Sequence, residues 1–245
     1  MHPSDLQTNH VPADETGKTE AWVVLEAALD SRVYAGLRPG STPATLRRAL
    51  GTHTVGEQLA AFTPKPGDAV LLPAGTVHSL GGHVVVFEVQ QNSDVTFRLD
   101  DWDRVDPVTG APRTLQVDEA LACADFAHGA LRPVVPVVET AMPVRRERLV
   151  ECDHFSLWRI SGVLPFTVGV QGAPRVVVCI EGAGSIEQGG TTHAIARGDT
   201  VLLPAVLGPC VLRPSGKATV LEIALPPTSQ PPASTRQRRR VEGTR

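Results

Sequence analysis

The sequence predicts an all-β chain: two small barrels in tandem, with a short helical insertion in the first and a disordered C-terminal tail. Three observations predict it. Short apolar runs recur along the chain, each bounded by Gly or Pro, at the spacing of strands in a sandwich or barrel. The segment Gly67-Asp-Ala-Val-Leu-Leu-Pro73-Ala74 returns with one change as Gly198-Asp-Thr-Val-Leu-Leu-Pro204-Ala205, 131 residues further on. That is a domain-sized period, as expected for two copies of one unit. From Pro226 onward the chain is rich in Pro, Ser and Arg. Such a stretch cannot bury enough surface to offset its ordering entropy. The chain therefore divides into residues 1–132, 133–225 and a tail of 226–245.

Residues 20–26 and 32–37 read as strands. Thr42 is placed to cap a helix, and Pro43 suits its first position. Leu46, Ala49 and Leu50 then fall on one face. A second helical piece carries Val55, Leu59 and Phe62 on its buried side. Strands follow at 69–72 and 84–90, and Phe97 and Leu99 mark one face of a further strand. Asp106 to Gly110 is a turn, and 118–126 a short helix. The Pro- and Val-rich stretch from Pro133 to Pro143 is a crossing strand or linker. In the second barrel, strands are expected at 156–160, 175–179, 184–188, 200–203 and 219–224, separated by Gly-rich turns at 181–184 and 188–190. Asp68 and Asp199, at matching places in the repeat, read as turn-forming residues rather than catalytic ones.

Composition narrows the function. Hydrophobic residues make up 42% of the chain, enough to fill two barrels. With 23 basic and 26 acidic residues the net charge is −3, which argues against a nucleic-acid or membrane-surface partner. No apolar stretch is long enough to span a bilayer. The start, Met-His-Pro-Ser-Asp, has neither the basic nor the apolar region of a secretory signal. Cys123, Cys152, Cys179 and Cys210 are scattered, as expected of reduced thiols in a cytoplasmic protein. The run Arg238 to Arg240 reads as part of a solvated tail. Nothing in the sequence addresses the oligomeric state.

The stretch from Gly67 to His78 is the most informative. An apolar strand run ends in a tight Pro/Gly turn that delivers one histidine, and a rigid turn of this kind fixes the ring as a metal ligand requires. The second copy has Val206 and Pro209 where Gly75 and His78 stand in the first. Chemistry is therefore expected in the first barrel, and no metal in the second. The pattern Gly-x5-Pro-x-Gly-x2-His resembles the second signature of the cupin superfamily, whose members are double-sheet jelly rolls. Four motifs extend the resemblance: His2-Pro-Ser-Asp5, Gly17-Lys-Thr-Glu-Ala-Trp22, Pro73-Ala-Gly-Thr-Val-His78, and Glu88-Val-Gln-Gln-Asn-Ser-Asp94-Val-Thr-Phe-Arg98-Leu. In this order they resemble the type I mannose-6-phosphate isomerase family, in its short bacterial form with a catalytic cupin followed by a degenerate one. The resemblance runs from His2 to about Leu225.

The resemblance implies a zinc-dependent enzyme that interconverts mannose 6-phosphate and fructose 6-phosphate through an enediol. Its partner is thus a small hexose 6-phosphate. Carried over residue by residue, the Zn²⁺ ligands are His2, Glu20 and His78. Two imidazoles and a carboxylate suit zinc and leave positions open for substrate or water. Arg98 stands where the family keeps its active-site arginine, and Lys18 is a second cationic candidate. Glu88 and Asp94 are further carboxylates that could shape the pocket. The family's glutamine ligand, two positions before its first histidine, has no counterpart in a chain that starts at Met1. A first barrel incomplete at its N-terminus, with weak or absent activity, is therefore expected; the α-amine of Met1, Gln7 or a water are the substitutes available. Two rival readings remain: an inactive, sugar-phosphate-binding remnant, and another metal cupin such as an Fe(II) oxygenase. Each residue also has a plain structural alternative: a frayed end for His2, a surface ion pair for Glu20, core packing for His78, a solvated loop for Lys18, and pairing with Asp100 or Asp101 for Arg98. His10, His53, His83, His128, His154 and His193 sit in no motif.

Overall fold

The computed structural model describes residues 1–226 apart from Thr8 and Ala13; the expected disorder at 227–245 lies outside the described residues. The first six strands are β1 (Glu20–Ala27), β2 (Val33–Leu37), β3 (Leu59–Phe62), β4 (Ala69–Leu72), β5 (His78–Leu80) and β6 (Val84–Gln90). They form two three-stranded antiparallel sheets, ordered β4-β1-β6 and β3-β2-β5. The helix α1 (Pro43–Leu50) is inserted between β2 and β3, and α2 (Val117–Cys123) follows β6. Ten further strands build the second barrel: β7 (Val137–Thr140), β8 (Arg145–Glu151), β9 (Ser156–Gly162), β10 (Phe166–Val168), β11 (Arg175–Glu181), β12 (Ala183–Gln188), β13 (Thr191–Ala196), β14 (Thr200–Leu203), β15 (Cys210–Pro214) and β16 (Ala218–Ala224). Their sheets run β14-β11-β16-β9-β8-β7 and β10-β15-β12-β13. No helix among the described residues is long and apolar enough to cross a membrane.

Local chemistry accounts for several elements. Thr42 caps α1 through its hydroxyl, which accepts from the Thr45 amide at 3.1 Å, while Thr45 Oγ1 accepts from the Thr42 amide at 2.8 Å. Asp68 accepts from the Lys65 amide and Asp199 from the Ala196 amide, each at 2.8 Å, so the repeated aspartates close equivalent turns.

Three expectations need correction. Leu59 and Phe62 do not lie on a helix. Only Val55–Glu57 is helical there, as a single 3-10 turn, and Leu59 and Phe62 form the ends of β3, paired with Leu37 and Val33. The short loop after the 3-10 turn leaves the chain antiparallel to β2, and ladder pairing overrides the helical spacing. Phe97 and Leu99 belong to no strand; their segment is an irregular strap, held by the Phe97 amide donating to Met1 O and the Arg98 amide donating to Gln116 Oε1. The second barrel also has strands not anticipated from sequence, among them β8, β10, β13 and β15. β8 opens with Arg-Arg-Glu-Arg, and its charges are satisfied across strands, as in Arg146–Glu139 and Arg159–Glu147. The stretch 133–143 contributes β7, which pairs with β8 at a sheet edge.

The barrels stand back to back. Ala21, Val23 and Ala69 from the outer face of the β1/β4 pair pack against Leu149, Leu157, Leu221 and Ile223 of the second barrel. The opposite face of β1 looks into the first barrel, where Trp22 packs with Val33, Ala35, Val70 and Leu72. β1 is therefore buried on both faces from Glu20 to Val24. The second barrel has its own core around Val177, Leu212 and Val220.

Gly36 couples the two strands that position His78. Its amide donates to Val77 O at 2.8 Å, and a β-carbon there would sit 1.9 Å from Gly129 O. Gly40 has the same left-handed conformation with open space around it. Gly40→Ala should cost about 1–2 kcal/mol from backbone strain alone, and Gly36→Ala clearly more, read as the difference in urea midpoints; equal losses would mean that the contact with Gly129 is easily relieved.

Candidate metal centre

Glu20 is the first residue of β1, and the pleat turns it inward with Trp22. Glu20 is 2% exposed. Two histidines converge on it: His2 Nε2 lies 3.0 Å from Oε1, and His78 Nε2 lies 3.4 Å from Oε2. Lys18 Nζ is 3.1 Å from Oε1. One donor atom from each of His2, Glu20 and His78 falls within 4.8 Å of the others, the spread expected of ligands to one ion.

Each candidate ligand is aimed by a separate segment. The strap after β6 holds His2: its Nδ1 sits 2.8 Å from Val95 O, and its own carbonyl accepts from the Gly75 amide at 2.8 Å. His2 is 5% exposed, so it is not a frayed end. The Pro/Gly turn delivers His78, whose Nδ1 lies 2.9 Å from Thr76 O, and the Trp22 ring meets its ring edge-on at 5.2 Å. A carbonyl can only accept, so each Nδ1 carries a proton and each Nε2 is left to ligate. Lys18 is brought in by the Gly17 turn, where the Gly17 amide donates to Asp5 Oδ1 at 2.6 Å and the Lys18 amide to Pro3 O at 3.1 Å.

The arrangement asks for a cation. With protons on both Nδ1 atoms, Nε2 lone pairs face carboxylate oxygens at 3.0 and 3.4 Å. Such contacts are favourable only with a proton or a metal ion between them. Glu20 Oε2 is buried with no hydrogen-bond partner among the described residues. Protonation states agree with ligation. Burial alone would raise the Glu20 carboxyl, but the closeness of His2 and His78 and the hydrogen bond from Lys18 outweigh it and hold it at about 2. Burial above all pushes His78 down to about 3. An ionised carboxylate and a neutral imidazole are the forms that bind metal.

The other candidates fall at different distances from this centre. Glu88 lies opposite Trp22 in the β1/β6 ladder and accepts from Trp22 Nε1 at 3.2 Å. Burial, then the nearby Glu20 charge, raises its carboxyl above the usual range. Arg98 lines a cleft of about 190 Å³ that also takes in His2 and His78. Its Nη1 donates to Thr114 O at 3.1 Å, not to Asp100 or Asp101. Asp94 is exposed and outside the cleft wall, which corrects its expected part in shaping the pocket: the chain leaves β6 and turns it to solvent. Gln7 is no substitute ligand either, because its amide is engaged with the Ser4 amide and Ala122 O. Sequence reasoning missed Trp22 as the partner of His78, legible only once β1 and β5 are known to share an interior. It also missed Arg104 and Arg113 on the cleft wall, which sit in no motif.

The chain is 32% identical over 216 residues to mannose-6-phosphate isomerase ManA of Bacillus subtilis, an alignment covering 85% of this chain and 65% of that protein. The chain is similar to mannose-6-phosphate isomerases over most of its length. A mannose-6-phosphate isomerase of Streptococcus mutans is 29% identical over 193 residues, 78% of this chain and 59% of its own. The chain thus spans less than two thirds of the length of these isomerase relatives. The crystal structure of the Bacillus subtilis mannose 6-phosphate isomerase superposes with a TM-score of 0.82 at 26% identity, over 91% of this chain and 70% of that one. A putative mannosephosphate isomerase from Archaeoglobus fulgidus, at 19% identity and a TM-score of 0.68, covers 91% of this chain and 66% of its own and shares the fold. No family model matches the chain.

The shifted groups fix a pH dependence for the metal-free protein. His78 binds its proton at 6.5 when unfolded but at about 3 when folded, and Glu20 moves from 4.5 to about 2. In both cases the unfolded chain takes up protons first on acidification. Their contributions are complete above about pH 6.5 and are lost as the pH falls toward 3 and 2. Chelator-treated protein should lose urea stability through that window, and His78→Gln should flatten the limb between pH 6.5 and 4.5. An unaltered slope in that variant would show that His78 is not held neutral in the fold.

Proposed function

We propose that this chain holds a zinc ion on His2, Glu20 and His78 and isomerises mannose 6-phosphate and fructose 6-phosphate. The carrying observation is the buried Glu20 carboxylate, with one oxygen unpartnered and two imidazole Nε2 atoms turned toward it. Two nitrogens and one oxygen suit zinc and leave positions open. A bound zinc would supply electrostatic stabilisation of the charge that develops on the sugar's O1 and O2 during enolisation.

The chain's own residues do the rest. Lys18, fixed against Glu20 Oε1, sets the carboxylate's orientation and keeps a positive charge beside the reacting end of the sugar. Arg98 stands on the cleft wall with the two histidines, where a guanidinium can stabilise an enediolate. Trp22 packs on His78 and limits water at the ligand. Residues 1–132 form the catalytic unit and 133–225 the degenerate cupin in this reading. A cytoplasmic setting belongs to it too, supported by four free thiols, three of them buried.

Two measurements test it. Metal analysis should find about one zinc per chain, lost in a Glu20→Gln, His78→Ala double variant. A coupled assay with mannose 6-phosphate should show Arg98→Ala lowering kcat about 100–1,000-fold. Full activity in Arg98→Ala would remove it from the catalytic set in favour of Lys18. Stoichiometric metal without isomerisation would point to a different metal-dependent cupin enzyme.

A further inference from the structure

The wall of the same cleft carries a second cluster that the metal centre does not use. Asp101 is buried, and two arginines converge on it. Arg113 grips it with both arms of its fork, Nε donating to Oδ2 at 2.7 Å and Nη2 to Oδ1. Arg104 donates from Nη2 to Oδ1 at 2.9 Å and from Nε to the Asp101 carbonyl at 3.1 Å. Yet the side chains of Arg104 and Arg113 stay 60% and 44% exposed. Nη1 of each has no hydrogen-bond partner among the described residues. Asp101 thus orients two guanidinium groups in a cleft lined by three arginines, Arg98, Arg104 and Arg113, against two carboxylates, Asp100 and Asp101, with Asp106 near Arg113 outside the cleft wall.

The turn that presents Arg104 is held in an unusual conformation. Trp102 and Asp103 both adopt left-handed backbone angles, φ 53° and 55°, although neither is glycine. The Trp102 amide donates to Asp100 Oδ1 at 2.6 Å, its ring packs on Tyr34 at 5.4 Å, and its Nε1 donates to Ser79 Oγ at 3.4 Å. The turn is thereby tied to β5 beside His78. Strain retained by such surrounding contacts is typical of ligand-binding segments.

We propose that Arg104 and Arg113, clamped by Asp101, recognise the phosphate group of the sugar phosphate. A phosphate monoester carries nearly two negative charges and several acceptor oxygens at neutral pH. Two guanidinium groups pre-aimed by a shared carboxylate match it better than mobile lysines. Arg104 and Arg113 bind the phosphate while His2, Glu20, His78 and Arg98 face the reacting carbons. The sugar-phosphate assignment rests on the isomerase reading; the anion site itself does not.

The probe is inorganic phosphate, titrated calorimetrically into the protein as purified, with mannose 6-phosphate kinetics in parallel. Arg104→Ala and Arg113→Ala should each weaken phosphate binding by about tenfold or more, as expected for losing a charge-assisted hydrogen bond. Bound metal should be unchanged, and KM for mannose 6-phosphate should rise with kcat within a few-fold. Arg104→Lys and Arg113→Lys, which keep the charge but lose the fork, should fall between. Phosphate binding that survives both alanine variants, or that is lost only in Arg98→Ala, overturns the proposal. If Arg113→Ala does not fold, Arg104→Ala on the exposed turn decides alone. Phosphate binding that depends on these arginines in a chain that does not isomerise mannose 6-phosphate would retain the anion site and sink the isomerase reading; isomerisation indifferent to both arginines would do the reverse.

Discussion

A carboxylate at the start of a doubly buried strand sets the terms for the rest of the first barrel. Ionised carboxylates are costly to bury unless paired and hydrogen-bonded. Glu20 sits on β1, which packs outward on the second barrel and inward on Trp22 and its neighbours. Water cannot solvate it, so the compensation has to come from the protein. Lys18 supplies it from the preceding turn, while His2 from the strap-held N-terminal segment and His78 from the Pro/Gly turn bring their Nε2 atoms to the same carboxylate. The compensation is incomplete, because one oxygen lacks a hydrogen bond. A buried carboxylate oxygen without a donor is open to a cation.

The second barrel solves the same problem differently. Glu222, on β16, is also fully buried. Its Oε1 accepts from the Gly169 amide at 2.6 Å and its Oε2 from Arg146 Nη1 at 2.9 Å. Arg146 lies over the Trp158 ring at 5.1 Å and pairs with Glu139. Every oxygen is satisfied by the chain itself, and no demand for a further cation remains. Glu88 and Glu222 both follow a Val-x pair in the last strand of their sheets, opposite a core residue. The second barrel thus buries a glutamate of its own and satisfies it with an amide and an arginine.

Back-to-back packing links the two units mechanically. Arg159 of the second barrel donates to Gly67 O at 2.7 Å, at the turn that opens the repeated motif. That turn precedes β4, whose partner is β1. The second barrel therefore buttresses the strand that carries Glu20. Pro209 stands in the second barrel where His78 stands in the first.

Much of this was legible in the sequence, for physical reasons that can be named. Pro, Gly and Thr42 act through their own covalent geometry and nearest neighbours, so α1, the turns at Asp68 and Asp199, and strands β1, β4 and β6 could be read locally. The repeated octapeptide and the ordered motifs pointed to the tandem cupins and to His2, Glu20 and His78. What could not be read depended on partners distant in the chain. Leu59 and Phe62 have helical spacing but became a strand because β2 was there to pair with. Phe97 and Leu99 alternate like a strand but found no ladder. The charged opening of β8 hid a strand whose charges are cancelled by neighbours. Asp101 took Arg104 and Arg113 and left Arg98 to the cleft. The residue types of the site are thus a property of the sequence alone. Their protonation, the unpartnered oxygen of Glu20 and the pairing of the arginines were decided by the tertiary fold, because desolvation and charge proximity exist only once distant segments have met.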